Sequence, residues 1–412
     1  MKIIADLHLH SRFSRSCSKD LTLTNIAKVC ERKGIDLVGT ADALHPKWRE
    51  EIGDLLEDNE GVFYLKDKSA QTAFFLTTEV SCIYKKHDKT RRLHHILFFP
   101  DLQSLDKTIT ALKDKGYNLK SDGRPIMGID SEELLKILLD IDERIVLIPA
   151  HAWTPWFAIF GSKSGFDSIE ECFGDYAKYI YAIETGLSSD PPMNWRLSAL
   201  DNVFLISNSD AHSCRNLGRE ANIFEMPKVS YSEFHRILRE HDLNSFKETI
   251  EFFPEEGKYH ADGHADCKFW CEPEKSKKLG GRCPICGKML TIGVLSRIMD
   301  LADRDPDFPR PASQVPYKHV IPLMELIADS MNKRVQAKAV NYEYERMLQH
   351  ATEFGILLDL SEQDLLQFAK PNIAGAIIKM RNGNVDVRPG YDGIYGEIHV
   401  FSDNDKPRQL TL

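Results

Sequence analysis

From its first residue to about position 250 the chain repeats one phrase: a short apolar run closing on a histidine or carboxylate, then a stretch with helical periodicity. The runs are KIIADLHLH (2–10), DLVGTAD (36–42), AFFLTTEV (73–80), RLHHILFFP (92–100), RIVLIPAHAW (144–153), YIYAIETG (179–186) and VFLISNSDAH (203–212). Amphipathic stretches such as LTNIAKVCERKG (23–34), SLDKTITALKDKG (104–116) and SEELLKILLDID (131–142) separate them. This alternation predicts parallel βα units of an α/β fold, and seven of them predict a barrel. The C-terminal strand ends of a (β/α) barrel converge on one face, where active sites lie.

The residues at those ends are His8 and His10, Asp42, Glu79, His151, Glu184, and Asp210 with His212. On the first strand, alternation puts Ile4, Asp6, His8 and His10 on one side and Ile3, Ala5, Leu7 and Leu9 on the other. Two imidazoles about 7 Å apart on one strand face suit a divalent metal. On the fourth run His94 and His95 are both candidates, and alternation lets only one of them reach the shared face. A purely structural role would leave polar groups facing a packed core without partners, which is costly.

Charge narrows the function classes. Lys and Arg number 53 against 62 Asp and Glu, a net −9. That argues against coating nucleic acid by bulk electrostatics and leaves room for a local basic groove. Part of the acidic excess is EEIGDLLEDNE (50–60), read as a solvated helix face. No apolar run approaches the roughly 18 residues of a membrane span, and the start carries no signal-peptide pattern. A cytoplasmic protein is expected.

Of nine cysteines, Cys17, Cys30, Cys82, Cys172 and Cys214 are scattered and read as reduced core residues. Cys267, Cys271, Cys283 and Cys286 form C-x3-C-x11-C-x2-C, and four thiolates saturate a tetrahedral, structural zinc. His260 and His264 stand near enough to replace Cys267 or Cys271 and are read as surface histidines. Between Gly257 and Arg297 eight Lys/Arg face four Asp/Glu, so this module is basic where the chain is acidic. Beyond it, LTIGVLSRIMDLAD, a Pro-rich connector DPDFPRPASQVP and further helices lead to NGNVDVRPGYDGIYGEIHVF, expected as a hairpin around Asn382-Gly383 and Asp392-Gly393. Tyr391 and Tyr395 could stack on bases, but packing is the favoured reading. The expected division is 1–250, 257–297 and 298–412.

DLHLHS, the Asp42 run, Glu79, LHHILFFP, PAHAW and SNSDAH resemble the motifs of the polymerase and histidinol phosphatase (PHP) superfamily. HSRFSRSCSKDLTL, LVGTADALHPKW, ETGLSSDPPMNWRLSALD, SNSDAHSCRNLGREANIF and PGYDGIYGEI resemble, more narrowly, the endonuclease Q family. The resemblance spans essentially the whole chain. It implies a distorted seven-stranded PHP barrel, a four-cysteine zinc finger and a small mixed α+β C-terminal domain. It also implies barrel metal ligands at His8, His10, Asp42, Glu79, His94 or His95, His151, Asp210 and His212. Of these, His8, His10, Glu79, His151, Asp210 and His212 would carry the chemistry. Two departures matter. The second motif of the superfamily commonly ends in histidine after Thr-Asp, whereas here it reads Thr40-Ala41-Asp42 with His45 three residues on. Ser14 and Arg15 stand where many members place another ligand, leaving a third metal position weak or absent.

Mixed imidazole and carboxylate donors suit zinc, manganese or iron better than magnesium alone. The family resemblance implies a metal-dependent nuclease for deaminated bases and abasic sites in double- or single-stranded DNA, without a membrane partner. Arg12 and Arg15 are candidate phosphate contacts. Two other readings are a small-molecule phosphatase on the same barrel and a non-catalytic DNA-binding protein with a degenerate barrel. The first leaves the finger and C-terminal region unexplained, and the second conflicts with the filled ligand positions.

Overall fold

The structure, a computed structural model, describes residues 1–401, so residues 402–412 of the expected C-terminal module lie outside the described part. The runs read from the sequence become β1 (Lys2–Asp6), β2 (Leu37–Gly39), β3 (Ala73–Lys86), β4 (Lys89–Phe99), β5 (Val146–Pro149), β6 (Ala182–Glu184) and β7 (Phe204–Ile206). They follow one another around a ring. β2 pairs in parallel with β1 and β3, and β6 in parallel with β7. Ala152 N donates to Glu184 O at 2.9 Å to join β5 to β6, and a parallel bridge between Leu9 and Ala211 closes β7 onto β1.

The expected all-parallel order fails at one place. β3 pairs antiparallel with β4 from Leu76↔Phe99 to Lys86↔Lys89, and β4 pairs antiparallel with β5. The linker read between the two runs is itself strand, leaving only His87 and Asp88, both at positive φ, to reverse the chain. Two residues can join antiparallel strands and cannot make a parallel crossover. The acidic stretch at 50–60 also differs from its reading, because the helix Pro46–Leu55 gives way to a strand, Leu56–Asn59.

The ring is filled as a small barrel must be. Ile3, Ala5, Leu7, Phe75, Ile96, Phe98, Val146, Ile148, Phe204 and Ile206 form its interior. The helix Tyr231–Arg239 plugs the far end, its Phe234 ring lying 5.4 Å from both Phe75 and Phe98. The opposite parity, including Leu76, Leu93, Leu97 and Leu147, packs outward. Outside the ring, Ala221–Glu225 pairs with β1, Phe246–Glu251 follows, and Tyr317–His319 adds a parallel edge strand. Residues past 300 are thus built into the barrel's sheet. Farther on, the helices Leu323–Ser330, Lys338–Met347 and Pro371–Arg381 precede a hairpin of Asp386–Arg388 with Glu397–His399. Gly383, at φ 70, ends the last helix rather than turning the hairpin.

Candidate metal centre

At the open end of the ring the strands stop and their polar residues turn inward. β1 ends at Asp6, whose carboxylate accepts from Ser209 N at 3.0 Å and Gly218 N at 2.8 Å, while Leu7 N donates to Asn208 Oδ1 at 2.8 Å. The chain therefore leaves strict alternation after Leu7: Leu7 packs inside, Leu9 outside, and His8 and His10 reach the centre. They share a face as expected, but not that of Ile4, which packs with the outer core. Asp42, His151 and Asp210 all adopt positive φ, 38°, 30° and 46°, in the turns that swing their side chains. For residues other than glycine this is a costly conformation, and it gathers at functional sites.

Two donor nests result, His8 with His10 and Asp210, and Glu79 with His94 and His151; within each, one donor atom per residue lies within 4.8 Å of the others. Glu79 stands between them. Its Oε1 is 2.8 Å from His94 Nδ1, 3.1 Å from His151 Nε2 and 3.8 Å from His8 Nε2, and its Oε2 is 3.4 Å from His10 Nε2. Asp210 Oδ1 lies 3.0 Å from His10 Nε2 and 3.7 Å from His8 Nε2. Burial alone would push the Glu79 carboxyl up, but His94, Arg124 and the surrounding imidazoles hold it well below its ordinary range. Burial pushes His94 down to about 4 against the pull of Glu79, so its imidazole is a neutral donor.

Glu184, placed by the sequence at a strand end, organises both nests from behind. Its carboxylate accepts from His8 Nδ1 at 3.0 Å and from His151 N at 2.8 Å, and Asn208 Nδ2 donates to it at 2.9 Å. With Nδ1 donating, His8 Nε2 is left buried, without a hydrogen-bond partner, and aimed into the centre.

Three other candidate residues lie outside the two nests. His95 faces outward with Leu93 and Leu97, its Nε2 2.8 Å from Ser131 Oγ and its ring 5.6 Å from Phe173. Strand alternation sends it away from His94, and burial lowers it to about 3. Asp42 lies behind His10. Its Oδ2 accepts from Ser11 N at 2.8 Å, Ser11 Oγ at 2.6 Å and Ser14 Oγ at 2.8 Å, while Oδ1 is 3.5 Å from His10 Nδ1. Gly123 makes this packing possible, because a Cβ there would strike the Asp42 carboxylate. His212 sits at the mouth beside His10, ring centroids 4.5 Å apart, with its Nδ1 donating to Asp210 O.

Sequence reading missed Arg124, whose Nη1 donates to Glu79 Oε2 at 2.9 Å. It lies in an irregular loop where neither strand nor helix periodicity signals direction; the adjoining Asp122-Gly123 turn was the only hint. Of the candidate phosphate contacts, Arg12 pairs with Glu51 at 2.6 Å and Arg15 with Asp122 at 3.2 Å. Above the centre opens a cavity of about 570 Å³, lined among others by Arg124, Trp156, Tyr259, Lys258 and Tyr395. Tyr395 is 70% exposed there, whereas Tyr391 packs on Gly263. The two tyrosines thus divide, and only Tyr391 meets the packing expectation.

The cysteine cluster also departs from its reading. His264, Cys267, Cys283 and Cys286 bring one donor atom each within 4.8 Å of the others, and Cys271 is not among them. Asp262–His264 and Phe269–Cys271 form an antiparallel hairpin in which His264 faces Phe269 and Cys271 faces Asp262. His264 and Cys267 therefore flank the turn, while Cys271 lies two residues down the ladder. Burial raises the Cys283 thiol, but the N–H groups of Cys286 and Ile285 and the neighbouring thiols outweigh it and lower its pKa.

Buried imidazoles and carboxylates converge, with His8 Nε2 left without a hydrogen-bond partner, a donor set that fits metal ions. Fold and site together define an α/β barrel with a candidate metal centre at its open end, the arrangement that the resemblance to the PHP phosphoesterases implies.

The comparisons narrow this. The structure matches the crystal structure of the novel lesion-specific endonuclease PfuEndoQ from Pyrococcus furiosus with TM-score 0.87 and 32% identity, over 99% of this chain and 98% of that one. A structure of endonuclease Q with a 27-mer duplex substrate carrying an abasic lesion at the active site matches with TM-score 0.85 and 32% identity, over 100% and 99% of the two chains. The uncharacterized protein YqxK of Bacillus subtilis is 28% identical over 96% of this chain and 99% of its own. The uncharacterized protein MJ0043 of Methanocaldococcus jannaschii is 32% identical over 60% of this chain and 31% of its own, and residues 322–384 match the family model of the MJ0043 C-terminal domain. The chain belongs to the endonuclease Q family, and it is a hydrolase of the nuclease class. No described helix is long and apolar enough to cross a membrane.

Proposed function

We propose that this chain nicks damaged DNA, hydrolysing the phosphodiester 5′ to a deaminated base (uracil, hypoxanthine or xanthine) or an abasic site and leaving 3′-hydroxyl and 5′-phosphate ends. The observation that carries the reading is the pair of nests joined by Glu79 at the foot of a cavity with aromatic walls. The relatives' lesion-specific activity and DNA complex support it. His8, His10 and Asp210 would hold one ion and Glu79, His94 and His151 a second, with Glu79 standing between the two nests; zinc, manganese or iron suits these donors better than magnesium. When bound, such ions would supply activation of water for attack on phosphorus and offset the charge at the phosphoryl group.

The chain's own groups do the rest. Glu184 keeps the proton on His8 Nδ1 so that Nε2 stays a donor to metal. Arg124, anchored by Glu79, presents a guanidinium to the phosphate. His212 at the mouth and Asp42 behind His10 fix the rim. A barrel mouth cannot reach into a stacked duplex, so the damaged nucleotide is flipped into the cavity, whose 570 Å³ falls in the size range of a small-molecule site. Uracil and hypoxanthine offer a carbonyl and N–H where cytosine and adenine offer an amino group, and donors set for that edge penalise the amino form.

In this reading residues 1–250 carry the chemistry. The module 257–297 holds a structural zinc and lays basic side chains on DNA, and 298–412 completes the cavity wall through Tyr395. The enzyme works in the cytoplasm, on the nucleoid when bound. The test is a labelled duplex with a single deoxyuridine or deoxyinosine, run on a denaturing gel with and without added metal. Metal-dependent nicking 5′ to the lesion is expected; release of free base before any break, or equal cutting of undamaged DNA, would overturn the proposal.

A further inference from the structure

We propose that a second, strongly basic cleft beside the metal centre seats the DNA backbone next to the scissile phosphate, with Arg92 and Lys163 as its phosphate contacts. This rests on the nuclease reading above. The cleft has a volume of about 600 Å³ and lies between the β3–β4 hairpin end and the loop 161–165, GSKSG. Five Lys or Arg residues line it against two acids, on a chain whose net charge is −9.

Two of those arginines hold the loop rather than a ligand. The Arg91 guanidinium stacks 3.9 Å from the Phe166 ring centroid and donates to Gly165 O. Arg297 donates to Phe160 O and Phe166 O, each at 2.9 Å, and to Asp167 Oδ1 at 2.6 Å. Ser164 Oγ donates to Arg92 O at 3.2 Å, and a Cβ on Gly165 would strike the backbone of Gly161, so the loop is closely packed on the strand edge. Lys89, Arg92 and Lys163 remain, none in a salt bridge with any described residue, and they face the cleft with the exposed Ser162. Cations held on a rigid frame without acidic partners are placed for an external anion.

Position says which anion. Arg92 lies two residues before His94 on β4, the same face by alternation and about 7 Å along the strand. Phosphates recur about every 3.4 Å of duplex axis along one strand, so a phosphate at the His94 nest puts its neighbour within about two nucleotides on Arg92. The loop that joins them is continuous: its 154–157 limb lines the cavity over the metal centre, and its 161–165 limb lines this cleft.

Backbone contacts act on undamaged DNA as well, which separates this inference from the lesion reading. Binding of a short undamaged duplex is measured by fluorescence anisotropy across salt concentrations, for the parent, Arg92→Gln/Lys163→Gln, Lys89→Gln/Lys163→Gln, and the control Lys107→Gln/Lys113→Gln on a remote helix. The slope of log affinity against log salt should fall by about 2 in the first pair, for two lost phosphate contacts, and by at least about 1 in the second. The control should stay at the parent value. Lys89 and Lys163 are exposed, so the second pair decides the matter should replacement of Arg92 lower the melting temperature. Parental slopes in both cleft pairs would overturn the proposal and leave an acidic protein segment as the occupant. Failure of the parent to nick deoxyuridine DNA would instead sink the lesion reading and leave these slopes standing.

Discussion

His94 and His95 are adjacent in sequence and opposite in consequence. His94 Nδ1 lies 2.8 Å from Glu79, and His95 sits outside the barrel wall against Ser131 and Phe173. His94→Ala should lower the rate of lesion nicking by at least about 100-fold, because it empties one nest of a donor. His95→Ala should keep nicking within several-fold of the parent and cost about 1–3 kcal/mol of stability, through lost packing in a buried wall. Single-turnover gels and urea denaturation read the two effects separately. Equal activity losses would mean that the wall, not the ligand, dominates. Alternation lets only one of the pair reach the shared face, and the position of Glu79 shows that it is His94.

At the scale of the element, the hairpin Asp262–Cys271 decides which donors gather in the candidate zinc cluster. Counting spacing selects four cysteines, but ladder register carries Cys271 away from the turn and brings His264 to it. The purified protein is therefore expected to hold one tight zinc that His264→Ser and Cys283→Ser remove, with a fall in melting temperature, since a structural zinc contributes folding free energy. Cys271→Ser should retain it. Elemental analysis of the three variants is decisive: zinc lost from Cys271→Ser and kept by His264→Ser would restore the four-cysteine site. No spacing rule shows this, because the register of a short hairpin is set by pairing and turn geometry rather than by residue type.

The whole molecule carries a buried acidic face where the barrel meets the segments after residue 250. Burial, with Glu325 and Glu255 nearby and Arg219 opposing, pushes the Glu256 carboxyl up to about 8. An unfolded glutamate loses its proton near pH 4.3, so between that pH and about 8 the native state binds more protons than the unfolded one. Stability from this group thus falls as pH rises through that window. Glu256→Gln should melt a few degrees above the parent at pH 8 and level with it at pH 4, by differential scanning calorimetry. Equal melting temperatures at both would show that Glu256 ionises freely in the native state. Glu251, pushed by burial up to about 7, adds to the same trend.

The sequence by itself determined the barrel's strand-ending residues, the convergence of His8, His10, Glu79, His151 and Asp210, and the presence of a cysteine cluster. These rest on local periodicity, which one chain segment carries alone. Only the tertiary structure decided that β3 and β4 run as a hairpin, that Asp42 backs His10, that Arg124 reaches Glu79, and that Glu184 holds two histidines at once. It also brought Tyr395 from the far end of the chain to the cavity over the metal centre. Those facts depend on which segments become neighbours, and neighbours distant in sequence are chosen by the packing of the whole core, not by any pattern within one run.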